Sequence, residues 1–419
     1  MPEGEWSIDK LVPGGAGMAR LADGRVGFAA GALPGDVIRV QTQREHKGHV
    51  EAERFELLRA SSERIEPPCP VARECGGCDW MALSVEAQRR HKLSLLKQAL
   101  ERTGGFHGFG EIAIEHAGPE LSYRNRLRFQ IDEQGELGFF ARGTNKLVVI
   151  QSCLVAAPAL EQAFQTLRRV AGEQREPLSR FASAELRVAS DEQRPSLRLE
   201  PRGELEIAAF RRLQSALGSD FELSAAGRSG SPVQRFALPE NVTLHAPANA
   251  FTQVNWAVNE LLVGAVVAGA RARGARTFCD LYAGAGNFTL PLLAAGLRGV
   301  AVEGHGPALH AGEQAAREQG LAGDFVAGEV GGALARLARG GRRFDLVVLD
   351  PPRAGARDVL ERLANVAASA IAYVACDPVT LARDLKWLAA HGFELGQVTA
   401  YDMFPQTHHF ETLAWLQRV

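Results

Sequence analysis

The 419-residue sequence has no uninterrupted apolar run approaching a membrane span; without about 20 such residues a helix cannot cross a bilayer. Its first residues, Met1-Pro-Glu-Gly-Glu-Trp6, are acidic and lead into no apolar core, so no secretory signal is expected there. An excess of one charge is also missing. Lys and Arg number 47 against 49 Asp and Glu, a formal net charge of −2. That balance excludes indiscriminate phosphate binding by the whole surface and leaves room for a local basic stripe. Cysteine is scarce, at six residues. A cytosolic, reducing location is expected, where disulfides are a poor reading. Three of the six fall within ten residues, which points to a metal site.

The length suggests two to four domains, and 46% hydrophobic residues suffice to build their cores. Residues 1–62 read as a small β barrel. Turn signals at Gly14-Gly15, Asp23-Gly24 and Pro34-Gly35-Asp36 separate short apolar runs such as Val37-Ile-Arg-Val40. Such barrels bind RNA or oligosaccharide, or serve only as spacers. Residues 63–245 read as a central α+β domain carrying the cysteines, and 246–419 as a doubly wound α/β domain.

The cysteine segment is Cys69-Pro-Val-Ala-Arg-Glu-Cys75-Gly76-Gly77-Cys78-Asp79-Trp80. Glycines let a short loop turn tightly enough for three thiolates to close on one metal or cluster. Cys153 is the fourth ligand by elimination, since Cys279 and Cys376 belong elsewhere. The spacing is one residue longer than the plant-type ferredoxin pattern and lacks the paired Cys-x-x-Cys of a zinc ribbon, so an iron–sulfur cluster is favoured over zinc. Beyond it, Ser84 caps a helix that runs to Gly104-Gly105. Tyr123-Arg124-Asn125-Arg126-Leu127-Arg128-Phe129 alternates, so a strand would align three arginines on one face. That stripe suits phosphates, or is simply a solvated face.

From Thr277 on, apolar runs end in chemically useful groups: Cys279-Asp280-Leu-Tyr282-Ala-Gly284-Ala-Gly286-Asn287, Gly299-Val-Ala-Val-Glu303, Phe344-Asp-Leu-Val-Val-Leu-Asp350-Pro-Pro and Ile371-Ala-Tyr-Val-Ala-Cys376-Asp377-Pro378. In open parallel sheets ligands sit at the carboxyl ends of the strands, so these ends should converge on one crevice, with Cys376 as nucleophile. The Gly284-x-Gly286 turn brings backbone close to a ligand, and Glu303 is placed to accept the hydroxyls of an adenosine ribose. Nicotinamide and S-adenosylmethionine are not separated by this pattern.

Asp280-Leu-Tyr-Ala-Gly-Ala-Gly-Asn-Phe-Thr-Leu-Pro, Asp350-Pro-Pro-Arg-Ala-Gly, Cys376-Asp-Pro and Thr407-His-His-Phe-Glu411-Thr resemble the RNA 5-methyluridine methyltransferases. Cys69, Cys75, Cys78 and Cys153 are similar to the set of the iron–sulfur branch, which acts on large-subunit (23S) ribosomal RNA. Gly14-Gly-x-Gly-Met-Ala-Arg20 resembles the TRAM domain of such enzymes. The resemblance implies a Rossmann-like methyltransferase domain, a 4Fe-4S cluster, and S-adenosylmethionine held by Gln253, Tyr282, Asn287, Glu303, Glu329 and Asp350. It implies Cys376 adding to C6 of uracil and Glu411 removing the C5 proton. The family commonly reads Ser-Cys-Asn-Pro around the nucleophile. Asp377 replaces the asparagine, and unless paired or turned away it should raise the thiol pKa.

His408 and His409 are expected on opposite faces of a strand, with no catalytic part, and Cys279 as a buried apolar residue. The target uridine must be single-stranded or flipped out of its helix. A cytoplasmic monomer is expected. Transfer RNA remains an alternative target. An adenine amino-methyltransferase is a rival reading, but it wants an aromatic residue where Arg353 stands and leaves Cys376 without a purpose. A catalytically silent ribosomal RNA binder is the rival from another class.

Overall fold

The computed structural model describes residues 4–108, 110–189, 194–228 and 231–419. Met1, Pro2 and Glu3 of the acidic N-terminus lie outside them. The N-terminal runs form a curled six-stranded sheet that contains the long hairpin of Val37–Glu45 and His49–Arg59 and wraps a small core of Trp6, Ile8, Ala29, Ile38 and Val50. The Pro34-Gly35-Asp36 turn does more than reverse the chain. Buried Asp36 accepts the N–H groups of Leu33 and Ser61 at 2.7 and 2.8 Å and pairs with Arg64 at 2.5 Å, which ties the sheet to the segment leaving it.

Helix Val85–Ala99 begins where the Ser84 hydroxyl accepts the Ala87 N–H at 3.2 Å. It ends in a wider turn, Leu100–Gly104, closed by left-handed Gly105 at φ 75°. A second six-stranded sheet follows, in which Arg126–Ile131 lies beside Phe181–Arg187. Alternation holds there: Leu127, Phe129 and Ile131 face a core with Phe164, Phe181 and Phe210, beneath helices Pro158–Glu173 and Ile207–Leu217. The strand begins only at Arg126, however, so Arg124 precedes it.

The C-terminal sheet has eight strands. Asp324–Ala327, Arg298–Glu303, Thr277–Leu281, Phe344–Leu349 and Ala367–Ala375 run parallel in that spatial order. Glu411–Arg418 then enters antiparallel, followed by Phe393–Tyr401 and a short edge strand, Ile114–Glu115. The central runs are continuously apolar because helices cover both faces. One face packs under Trp256–Ala272, Thr289–Ala294 and Gly306–Glu318; the other packs under Val330–Arg339, Leu360–Val366 and Pro378–Ala389. Leu96, Ala99 and Leu100 join that second core, so the helix following the cysteine loop is built into the sheet that carries Cys376.

Candidate active site

Strand register brings the predicted crevice together. Leu281 is paired with Val302 on one side and Leu349 on the other, and Leu349 with Tyr373. Tyr282, Glu303, Asp350 and Cys376 therefore emerge along one edge. The chain turns there through left-handed backbone at Tyr282 (φ 62°), Gly284 (φ 57°) and Gly286 (φ 95°). Such a conformation at a tyrosine is uncommon and is typical of functional turns. A Cβ on Gly284 would meet nothing within 4 Å, so a ligand has open space beside that backbone.

Glu303 is held rigidly, accepting the N–H of Gly284 at 2.9 Å and of His305 at 2.6 Å, with lone pairs left over for ribose hydroxyls. Asp280 accepts the Thr289 hydroxyl at 2.6 Å, and burial pushes its carboxyl up to about 7. The Oε1 of Gln253 is buried with no hydrogen-bond partner in the protein, while its backbone carbonyl accepts from Asn125 at 3.1 Å. An orphaned buried acceptor fits a bound polar group. Asn287 is engaged differently: its amide exchanges two 2.9 Å bonds with Asn259, pinning the turn to helix Trp256–Ala272. Glu329 is exposed at the start of helix Val330–Arg339. Its charge, after burial and Asp358, helps raise the Tyr282 phenol.

Cys376 follows the last residue of strand Ala367–Ala375 and is half-buried. Burial, then Glu411 and Asp350, push its thiol up to about 12, and Arg353 acts in the opposite direction. Glu411 is 4% exposed, so it is no solvent-facing strand residue, and its Oε2 has no hydrogen-bond partner. Burial and Asp350 raise its carboxyl well above the usual range, and burial raises Asp350 to about 7. Three acids thus share one pocket and resist carrying charge together.

Asp377 does not add to that load. Its Oδ1 accepts the N–H groups of Val379 and Thr380 at 3.0 and 2.7 Å, as N-cap of helix Pro378–Ala389. Asparagine and aspartate cap helices about equally well, which explains the exchange. The histidines depart from expectation. They lie in the loop between Tyr401 and Glu411 rather than on a strand, and their rings are 3.8 Å apart. His408 bonds Asp79 at 2.5 Å, and His409 meets Arg353 at 3.1 Å. Arg353 stood in plain view after Asp350-Pro-Pro; its role is set by contacts 56 positions away.

Cys69, Cys75, Cys78 and Cys153 line one cavity of about 240 Å³, together with Arg124 and Arg128. All are free thiols. Burial pushes Cys78 up to about 12 and Cys153 to about 11, so a bound metal charge is what would hold them as thiolates. Among the described residues no three of the four sulfurs lie within 4.8 Å of one another. The arginine stripe is correspondingly split. Arg124 and Arg128 face the cysteine cavity, and Arg126 lies 5.2 Å above the ring of Phe251, which is 66% exposed.

A doubly wound sheet with a glycine turn, a glutamate at the next strand end and a cysteine across the crevice is the architecture of a Rossmann-like methyltransferase. The family model described as tRNA (Uracil-5-)-methyltransferase matches residues 335–419. The chain is 33% identical to the 23S rRNA (uracil(1939)-C(5))-methyltransferase RlmD of Pectobacterium atrosepticum, over 97% of this chain and 92% of that one. It is 34% identical to the RlmD of Chromohalobacter salexigens, over 98% and 89%. In fold it matches the Pyrococcus abyssi tRNA (uracil-54, C5)-methyltransferase, solved with S-adenosyl-L-homocysteine, at a TM-score of 0.78, 23% identity, and coverage of 99% and 100% of the two chains. The chain belongs to the family of S-adenosylmethionine-dependent RNA uracil-C5 methyltransferases. No described helix is long and apolar enough to cross a membrane.

Proposed function

We propose that this protein methylates C5 of a uridine in 23S ribosomal RNA, with Cys376 as nucleophile and Glu411 as base. The observation that carries this reading is the strand register that brings Cys376, Glu411 and Asp350 to the same sheet edge as the Gly284–Glu303 turn, where Glu411 and Asp350 both act on the thiol. S-adenosylmethionine, when bound, supplies the electrophilic methyl group. Gln253, Tyr282, Asn287, Glu303, Glu329 and Asp350 are the residues around it.

C5 of uracil is a weak nucleophile, so Cys376 gives up its proton to solvent, adds as thiolate to C6 and converts the ring to an enolate that takes the methyl at C5, with S-adenosylhomocysteine as the leaving group. Burial and Asp350 raise the Glu411 carboxyl, and an ionised Glu411 and a Cys376 thiolate disfavour each other; once sulfur is bonded to C6 it is neutral and that last repulsion is gone. Glu411 removes the C5 proton, the C5–C6 double bond re-forms and Cys376 leaves as thiolate. Asp350 orients the uracil edge or the donor.

Cys69, Cys75, Cys78 and Cys153 hold a 4Fe-4S cluster, a structural or RNA-contacting element, since the chemistry requires no electron transfer. Residues 1–62 serve as a TRAM-like RNA-binding barrel. The enzyme acts as a cytoplasmic monomer. The ribosomal target is favoured over transfer RNA by the near full-length relatedness to RlmD proteins. Nucleoside mass spectrometry with site mapping, on RNA from cells with and without the protein, should reveal one missing 5-methyluridine in 23S rRNA. An unchanged 5-methyluridine map would reject the reading, and a site lost from transfer RNA would move the target.

A further inference from the structure

The residues that follow the cysteine loop grip the loop that leads to Glu411. Asp79, next to Cys78, accepts the backbone N–H of His408 at 3.2 Å and bonds its Nδ1 at 2.5 Å. The Trp80 N–H donates to the Gln406 carbonyl at 3.0 Å, and buried Gln88 exchanges side-chain and backbone bonds with Gln406 at 3.0 and 2.7 Å. One turn on, buried Lys92 reaches Asp402 at 2.6 Å and the Phe404 carbonyl at 3.0 Å. These contacts span more than 300 positions of sequence. The last strand's pairing fixes the Glu411 backbone, yet the long loop before it takes its shape from the cysteine side.

His409 carries that shape to the pocket. Burial, His408 and Arg353 push its ring down to about 4, so it is neutral near pH 7. A guanidinium only donates, so Nε2 of His409 accepts from Arg353 and the ring proton sits on Nδ1. Arg353 in turn is the cation that opposes burial, Glu411 and Asp350 at the Cys376 thiol, while Asp377 is spent on its helix cap.

We propose that Asp79, through His408, and His409 are positioning residues: they fix the 402–410 loop so that Arg353 is held toward Cys376, making the cysteine loop part of the catalytic scaffold. The inference rests on the assignment of Cys376 as the reactive thiol, and its test does not require the substrate to be right.

The test is the pH profile of Cys376 alkylation by iodoacetamide, followed by peptide mass spectrometry on full-length protein with iron content measured. Arg353→Met should move the profile upward by about one unit, as when a cation leaves a thiolate. Asp79→Ala and His409→Ala should shift it in the same direction, and neither should add to Arg353→Met, as expected of residues acting through one partner. His409→Ala leaves the cysteine loop untouched, so it remains informative if Asp79→Ala sheds iron. Profiles of both variants superimposing on wild type, or full additivity with Arg353→Met, would overturn the proposal. Normal 5-methyluridine formation by Cys376→Ala would instead overturn the assignment of the nucleophile.

Discussion

Ala375 and Thr412 face each other across the antiparallel pair formed by the strands Ala367–Ala375 and Glu411–Arg418. Cys376 follows Ala375 and Glu411 precedes Thr412, so antiparallel register brings the proposed nucleophile and the proposed base to the same spot. As the proposed base, Glu411 acts only after methyl transfer, and its loss should stop the reaction halfway. Glu411→Gln is expected to accumulate a covalent protein–RNA species with ordinary uridine RNA and donor, while turnover falls by roughly 10²- to 10⁴-fold. Denaturing gels and nucleoside analysis would check this, and wild-type turnover without adduct would remove Glu411 from the mechanism.

The thiol should report on its acidic neighbours. Asp350, raised to about 7, is neutral below that pH and anionic above it. An anion beside Cys376 disfavours the thiolate, so Asp350→Asn should speed alkylation of Cys376 above pH 7 and change little below it. A slower rate above pH 7 would reverse the sign assigned to this neighbour.

Asp377 should matter for the helix and not for the thiol. Asp377→Asn is expected to leave both activity and the Cys376 pH profile unchanged, since either residue accepts the Val379 and Thr380 N–H groups. Asp377→Ala should cost about 0.5–2 kcal/mol of stability, readable by denaturant unfolding. A marked change of thiol reactivity in Asp377→Asn would mean the carboxylate does act on sulfur.

Phe251, exposed beneath the Arg126 guanidinium and two residues from Gln253, offers a flat apolar face to solvent. Stacking of a base on such a ring contributes about 1–3 kcal/mol. Phe251→Ala should therefore weaken RNA affinity roughly 5- to 100-fold and leave donor affinity intact, as measured by fluorescence anisotropy and calorimetry. Equal loss of both affinities would indicate a collapsed loop.

The strand ends were legible in the sequence because burial on both faces writes a continuous apolar run that stops abruptly at Asp350 or Cys376, and the helix cap at Ser84 was legible because capping is local. What escaped was set by contacts distant in sequence. Nothing near His408 announces Asp79, 329 positions away, and nothing near Arg353 announces His409. Adjacent histidines read as a strand pair only if the backbone is extended, and here it turns. The stripe of arginines followed the right period, but Arg124 sits before its strand and is turned to the cysteines.

The cysteine cavity is the proposed site of a 4Fe-4S cluster. Burial makes Cys75, Cys78 and Cys153 resist ionisation unless a metal charge is present. Protein isolated without air is expected to hold iron and acid-labile sulfide in equal amounts, with broad visible absorption that disappears in Cys78→Ala and Cys153→Ala. Stoichiometric zinc without sulfide would sink the cluster. Since uracil methylation moves no electrons, turnover of the intact protein should be the same with and without mild reductant, even though the loop proposed to carry the cluster braces the loop behind Glu411. A rate that follows the redox state of the iron would show that the cluster does more than hold the scaffold.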